Sequence, residues 1–231
     1  MRRLFFSATA TLLFLAACEK DEDTDQTISI HTDFSDGKDG WQGGFSEYSG
    51  TNAEIYELEE GIAPLPPPLD ESKSGYRTSG INRSDDLFMY LTKRVQGLKP
   101  NTSYRGRFSL QLASNARSGG VGAGGAPGES VGLGIGLTIK EPRSAPDNDN
   151  FYRMNIDKIH QCCTDGNDMI VIGDIANGTD DYVYTLIDRS GEFTATTDHQ
   201  GVLWIIVGTD SGFEGRTTLY YSIINVTLEE I

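Results

Sequence analysis

The chain has 231 residues and a formal net charge of −15 at pH 7, with 34 acidic against 19 basic side chains. Such an acidic chain repels nucleic acid and anionic lipid head groups, which argues against both as partners of the folded surface. Apolar residues make up 37% and glycine contributes 27 residues, with no sustained helical period and no internal repeat. Together these properties favour an all-β domain.

The start of the chain has the three parts of an export signal. Arg2 and Arg3 form the positive segment, residues 4–15 are mostly apolar, and small residues follow at 16 and 17. The apolar stretch is shorter than the roughly 20 residues that a spanning helix needs. We therefore expect residues 1–17 to be removed, which leaves a mature chain with two more negative charges.

Residues 15–18 (LAAC) resemble the lipobox of bacterial lipoproteins. The resemblance implies that the thiol of Cys18 is acylated and that this residue becomes the new N-terminus. One acyl chain holds a protein only marginally at a membrane, so stable anchoring implies several chains on the same residue. The alternative is an ordinary signal peptide with a chance cysteine.

The residues after the cysteine (EKDEDTD) are acidic and contain no apolar partner. Such a run stays solvated, so residues 18–29 are predicted to be a lipidated tether. The run also resembles the acidic signal that sends lipoproteins to the surface of bacteria of the Bacteroides type. We therefore expect a lipid anchor in the outer membrane with display at the cell surface; a position that faces the periplasm is the alternative.

Residues 30–231 are predicted to form one domain of short strands separated by turns. In residues 103–113, Tyr104, Phe108 and Leu110 alternate with polar residues, as in an antiparallel sheet with one face on a core. The expected strands are 86–95, 103–113, 131–139, 151–157, 169–175, 182–187, 192–196, 202–208 and 217–228. Nine short strands predict an antiparallel β-sandwich or barrel.

Two stretches resemble known jelly-roll domains. Residues 95–104 (VQGLKPNTSY) are similar to a corner found in fibronectin-type and carbohydrate-binding jelly-roll domains. That resemblance implies that Leu98 plugs the core, Pro100 turns the chain and Tyr104 starts a strand. Residues 34–41 (FSDGKDGW) resemble the opening of galactose-binding-like jelly rolls. The implied fold is a single antiparallel β-sandwich of jelly-roll type.

The acidic opening is a candidate calcium site. Asp33, Asp36 and Asp39 offer carboxylates between glycines, and such hard oxygen ligands suit Ca²⁺. The resemblance to galactose-binding-like domains implies a further carboxylate from the last strand, for which Glu229 is the candidate. The alternative is a solvated acidic turn without metal.

The glycine-rich stretch 115–130 (NARSGGVGAGGAPGES) is not a phosphate loop, because Gly128 is followed by Glu129 and then by a strand. It is either a plain connection or a binding loop whose amides approach a sugar. In the second case Asn115 and Glu129 lie at its base. Asn82 and Asp85 form a further polar group before a strand, either as ligand contacts or as caps of a turn.

Aromatic side chains are the candidates for stacking on sugar rings. Trp41, in a loop flanked by glycine, is the first choice, although the same residue is equally suited to plug the core. Tyr48 is a further candidate. Tyr220 and Tyr221 are adjacent on a strand, so one ring must point inward and the other outward.

Recognised catalytic motifs are missing from the sequence. It has neither G-x-S-x-G nor H-E-x-x-H, and its histidines are only three. The adjacent Cys162 and Cys163 are predicted to form either a vicinal disulfide or two thiols in a turn.

We therefore expect a non-catalytic binding module for carbohydrate. One alternative is a glycan-degrading hydrolase or lyase, with Asn82, Arg83, Glu129 and Asp157 converging. The other is a structural lipoprotein that binds an envelope protein.

Overall fold

The computed structural model describes residues 26–161 and 163–231. The predicted signal, Cys18 and most of the tether therefore lie outside the described residues, as does Cys162. The strands are β1 (Thr27–Asp33), β2 (Gln42–Ser46), β3 (Tyr48–Ser49), β4 (Glu59–Pro64), β5 (Ser74–Ile81), β6 (Phe88–Val95), β7 (Ser103–Ser114), β8 (Val131–Thr138), β9 (Ser144–Pro146), β10 (Phe151–Met154), β11 (Met169–Asp174), β12 (Thr185–Thr196), β13 (Leu203–Ser211) and β14 (Arg216–Glu230). Two short 3₁₀ helices, Phe34–Asp36 and Gly50–Tyr56, complete the described elements. No helix in the described ranges is long and apolar enough to cross a membrane.

The strands form two large antiparallel sheets and one small one. The first sheet has the order β12-β7-β14-β5-β4, with β1 also paired to β14, and the second has the order β11-β8-β13-β6-β2. β3, β10 and β9 form the small sheet. The eight strands β5–β8 and β11–β14 divide equally between the large sheets and interleave as two Greek keys, which is the jelly-roll arrangement. The predicted fold class is confirmed.

The core lies between the two large sheets. Along β7, Tyr104, Phe108, Leu110 and Leu112 are buried and alternate with residues that are partly or fully exposed. They belong to one cluster with the buried aliphatic residues of the facing sheet, Leu133, Ile135, Ile205 and Val207. Because full burial of one such side chain contributes about 1.5–3 kcal/mol, this cluster is the main source of stability.

The predicted corner between β6 and β7 is confirmed. Gly97 has a φ of +84°, which a residue with a side chain rarely adopts. The turn lets Leu98 enter the core, where it is buried. The hydroxyl of Tyr104 accepts a hydrogen bond from the backbone N–H of Lys99 and donates one to Oε1 of Gln26. The corner is thereby joined to the start of the described chain.

Several predicted boundaries differ from the structure by a few residues, and two of the differences have a clear cause. β12 is one continuous strand, where the sequence predicts two segments, 182–187 and 192–196. Between these segments Asp188 and Ser190 face solvent, whereas Arg189 is half-buried and donates to Asp174, so the polar residues do not interrupt this edge strand. β1 begins at Thr27, three residues before the predicted start of the domain, because it pairs with the end of β14.

Candidate functional site

Trp41 lies in the core and is 1% exposed. Its indole N–H donates to Oγ1 of Thr32 at 3.1 Å, and its ring packs edge-on against Phe34 at 6.4 Å between centroids. A ring in this position presents no face to a ligand. The prediction of Trp41 as a stacking platform is therefore wrong, and the alternative, a core plug, is what the structure shows.

Asn82 is also a structural residue. It is 1% exposed, its side-chain NH₂ donates to the carbonyls of Ser211 and Phe213, and its Oδ1 accepts from the backbone N–H groups of Ser84 and Leu87. These contacts satisfy the amide completely, so Asn82 closes the turn between β5 and β6 and is not a ligand contact. Asp85 is exposed and accepts a hydrogen bond from the side chain of Gln161.

The acidic opening forms a shallow depression. Asp33, Asp36 and Asp39 border it together with His31 and Thr32, around a volume of about 290 Å³. Asp39 is engaged by the ammonium of Lys93 and the hydroxyl of Thr32, which hold the pKa of its carboxyl below the usual value. The described residues contain no group of three or more His, Cys, Asp or Glu side chains placed to hold a metal ion.

Glu229 does not join this depression. Asp33 pairs with Ile223 of β14, whereas Glu229 pairs with Thr27, six residues further along the strand. At about 3.3 Å per residue the separation is roughly 20 Å. Glu229 instead binds Arg107. The placement of Glu229 in a shared metal site is therefore wrong, and calcium at the three aspartates stays a prediction.

The glycine-rich stretch 115–130 folds back at one end of the sandwich. Oε1 of Glu129 accepts from the backbone N–H of Gly119 at 2.7 Å, and the N–H of Gly212 donates to the carbonyl of Ser130 at 2.8 Å. The N–H of Glu214 donates to the carbonyl of Ala123 at 2.9 Å. Of the two readings from the sequence, the structure shows a tightly hydrogen-bonded connection, which places its ends beside the loop after β13.

Four of the predicted ligand residues meet around that loop, because the connections from several strands converge there. Asn82 donates to the carbonyls of Ser211 and Phe213, and Asn115 lines the same pocket as Phe213. Glu129 is adjacent to Ser130, whose carbonyl accepts from Gly212. Asp85 accepts from Gln161, whose side chain lies next to Gly212. Tyr48 lies elsewhere, stacked on Tyr152 with centroids 4.7 Å apart.

The pocket at this end, which we call the loop pocket, has a volume of about 120 Å³. It is lined by Asn115, Ala116, Pro127, Ile175, Tyr182, Phe213, Arg216, Thr217 and Thr218. None of the described residues hydrogen-bonds to the side-chain amide of Asn115, which leaves that amide available to a ligand. An apolar floor with a few unengaged polar groups is the usual composition of a small-molecule site.

Tyr182 forms one wall of the loop pocket and is 63% exposed. The guanidinium of Arg117 lies over its ring, 5.7 Å from the centroid, which orients the ring by a cation–π contact. Nε of Arg117 is buried without a described hydrogen-bond partner. A large aromatic ring that is both exposed and oriented is suited to stacking on an apolar face of a ligand.

A second aromatic pair continues the surface beyond the loop pocket. Tyr184 and Tyr220 pack edge-on at 5.6 Å, and Tyr220 lies on the same face of β14 as the pocket residue Thr218. Tyr221 is fully buried, so the expected division of the two tyrosines is confirmed. Burial raises the pKa of Tyr184 to about 12, so its hydroxyl stays protonated at neutral pH.

No protein-family model and no curated protein matches the sequence. Among solved structures, the CBM22-1 xylan-binding domain of Paenibacillus barcinonensis Xyn10C is 8% identical, with a TM-score of 0.40, over 87% of this chain and 94% of that one. TmCBM61 in complex with β-1,4-galactotriose is 10% identical, with a TM-score of 0.35, over 84% and 92%. A family 16 carbohydrate-binding module is 15% identical, with a TM-score of 0.36, over 84% and 94%. At these values no binding residue of the neighbours can be transferred to this chain.

Proposed function

We propose that this protein is a non-catalytic module that binds carbohydrate at the loop pocket. The observation that carries the proposal is the exposed, oriented ring of Tyr182 beside the free amide of Asn115. Sugar rings have an apolar face that stacks on an aromatic ring and hydroxyls that bond to an amide, so this pair recognises both sides of a sugar. A pocket of about 120 Å³ is smaller than the usual ligand site of roughly 300–1,000 Å³, which favours one sugar unit or a chain end.

The composition of the loop pocket disfavours the alternative of a glycan-degrading enzyme. Glycoside hydrolysis uses two carboxyl groups on either side of the scissile bond. None of the described residues that line the loop pocket is acidic, and the one basic residue, Arg216, forms an ion pair with Glu57 outside the pocket lining. Asn82, predicted as part of a catalytic group, is already fully hydrogen-bonded. A module that binds without cleaving requires no such pair.

The test is binding of the purified protein to a panel of immobilised polysaccharides and oligosaccharides. We expect Tyr182→Ala to weaken binding about 2- to 12-fold, which corresponds to the roughly 0.5–1.5 kcal/mol of an aromatic contact. Asn115→Ala should weaken it by a similar factor through the lost hydrogen bond. Ile139→Ala, which shortens an exposed apolar side chain that does not line the loop pocket, is the matched control and should bind like the wild type.

Retention of no glycan, or equal affinity of the wild type and Tyr182→Ala, would contradict the proposal. The first result would favour the alternative of a structural lipoprotein that binds an envelope protein. The second would place the sugar at another surface, such as the stacked Tyr48 and Tyr152.

We further propose that the module is anchored in the outer membrane by lipid on Cys18 and displayed at the cell surface. The support is the sequence alone: the LAAC stretch and the acidic run that follows it. Labelling with an alkyne fatty acid should mark the wild type but not the Cys18→Ser variant. Protease added to intact cells should remove the protein if it is displayed outside. Protection of the protein in intact cells, with digestion after lysis, would instead indicate that it faces the periplasm.

A further inference from the structure

A buried lysine and a buried aspartate meet a second, partly exposed aspartate at the same end of the sandwich. Lys158 comes from the connection between β10 and β11, Asp210 lies near the end of β13, and Asp86 precedes β6. Nζ of Lys158 forms an ion pair with Oδ2 of Asp210 and lies 3.5 Å from Oδ1 of Asp86. None of the three lines the loop pocket, and the proposed binding of carbohydrate does not use them.

The depth of burial distinguishes this pair from the other lysine–carboxylate pairs in the described ranges. The side chains of Lys158 and Asp210 are 6% and 1% exposed. In the pairs Lys38–Glu60 and Lys93–Asp39, at least one side chain is 47% or more exposed, and in Lys99–Glu230 the two side chains are 33% and 15% exposed. Water reaches those pairs, whereas it is largely excluded from Lys158 and Asp210.

The surroundings of the pair are apolar. Nζ of Lys158 lies 5.2 Å from the centroid of the Phe88 ring, and Leu87 and Ile159 are fully buried beside the three polar residues. In such a medium the desolvation of two charges opposes the ion pair. Burial raises the pKa of the Asp210 carboxyl well above its usual value, Lys158 opposes that change, and the nearby Asp86 adds to it. A carboxyl with a raised pKa takes up a proton more readily than an ordinary aspartate, and a carboxylic acid is the form that condenses with an amine.

The second oxygen of Asp210 gives an independent observation. Oδ1 is buried and accepts no hydrogen bond from any described donor, although a buried carboxylate oxygen normally has a partner. The same is true of no other aspartate or glutamate in the described ranges. An amide carbon carries one oxygen, so conversion of this carboxyl into an amide removes one of its two buried oxygens.

We propose that Lys158 and Asp210 condense into an intramolecular isopeptide bond, with Asp86 as the proton relay. The lone pair of Nζ attacks Cγ of Asp210 and forms the N–C bond. The carboxylate of Asp86 takes a proton from the nitrogen and delivers it to the departing hydroxyl, the C–O bond breaks, and one water leaves. Amine and acid thus give amide and water, and no oxidant, cofactor or second protein takes part.

The positions of the groups supply what the reaction needs. The amine and the carboxyl are held in contact by the fold, which replaces an encounter in solution by a step within one molecule. A carboxylate within 3.5 Å of the nitrogen is close enough to move the proton during attack and departure. The exposed pair Lys93–Asp39 lacks both the burial and the second carboxylate, so we expect it to stay an ion pair.

The test is peptide mapping of the full-length protein by mass spectrometry. Trypsin does not cleave after a lysine whose Nζ is part of an amide. We expect cleavage after Lys158 to be almost completely lost, and residues 154–189 to be recovered joined to residues 190–216. The mass of the joined species should be lower than the sum of its two parts by one water. The peptides that contain Lys93 and Asp39 are the internal control and should not be joined.

Two variants separate the bond from the fold. Lys158→Arg keeps a positive charge beside Asp210 but lacks the amine, and Asp86→Asn keeps the size of the relay but cannot accept the proton. Both should give unjoined peptides at their full sequence masses. Complete tryptic cleavage after Lys158 in the folded wild type would overturn the proposal, and this measurement needs no variant to fold. Wild-type extent of joining in Asp86→Asn would overturn the role assigned to Asp86.

Discussion

Replacement of Trp41 by alanine tests the conclusion that this ring belongs to the core. Trp41 is 1% exposed, and a tryptophan in a core buries about 200 Å². At about 25 cal/mol per Å², the lost burial is worth at most about 5 kcal/mol. The hydrogen bond to Thr32 is lost as well. We expect the free energy of unfolding to fall by about 4 kcal/mol, within the range observed for large aromatic residues.

The assay is denaturation by urea, followed by far-ultraviolet circular dichroism. Trp41→Phe is the matched variant, because it keeps a ring beside Phe34 but cannot donate to Thr32; its loss should be smaller, about 1–2 kcal/mol. Glycan binding by the folded fraction should remain close to that of the wild type in both variants. A loss of stability below about 1 kcal/mol in Trp41→Ala, together with lost glycan binding, would refute the placement of this ring in the core.

Two further predictions concern polar groups. Asn82→Ala should lower the free energy of unfolding by about 2–3 kcal/mol, because it leaves the buried carbonyl of Ser211 without a donor; a urea midpoint equal to that of the wild type would contradict this. Asp39 has a pKa below its usual value, so its contribution to stability is present at neutral pH and is lost as the pH falls through its folded pKa. Lys93→Met should therefore reduce the difference in melting temperature between neutral pH and about pH 3, measured by calorimetry, and an unchanged difference would show that this pair is not responsible.

The strands that the sequence predicts are those with enough apolar residues to show the pattern of a buried strand. β6, β7, β8 and β13 contain many branched or aromatic residues, and their predicted bounds lie within a few residues of the observed ones. β5 (SGYRTSGI) is missed because, apart from Tyr76, small residues occupy its buried positions. Gly75 and Gly80 are two of these, and a Cβ there would lie 2.9 Å from neighbouring side chains. The position of such a strand depends on the side chains that pack against it from other strands. The local pattern of hydrophobicity does not show these contacts.

The residues of the candidate site were harder to predict than the fold. The sequence identified Asn115 and Glu129 because they frame an unusual glycine-rich stretch. It missed Tyr182, which follows two aspartates in a polar connection. Nothing in the neighbouring sequence indicates that this residue lines a pocket. Its significance comes from Arg117, a residue 65 positions earlier that the fold places over its ring. It chose Trp41 because glycines flank it, but those glycines shape the turn that carries the ring inward.

The two proposals concern neighbouring parts of one end of the sandwich. Asp210 is followed by the loop that contains Phe213, which lines the loop pocket, and Asn82 holds the carbonyls of Ser211 and Phe213. A bond from Lys158 to Asp210 would close a loop of 52 residues. The entropy that such a cross-link removes from the unfolded chain is worth about 4 kcal/mol, a large part of the roughly 5–15 kcal/mol that stabilises a domain. By fixing the start of the loop after β13, the bond would also reduce the ordering that a ligand must impose on the pocket, which favours affinity.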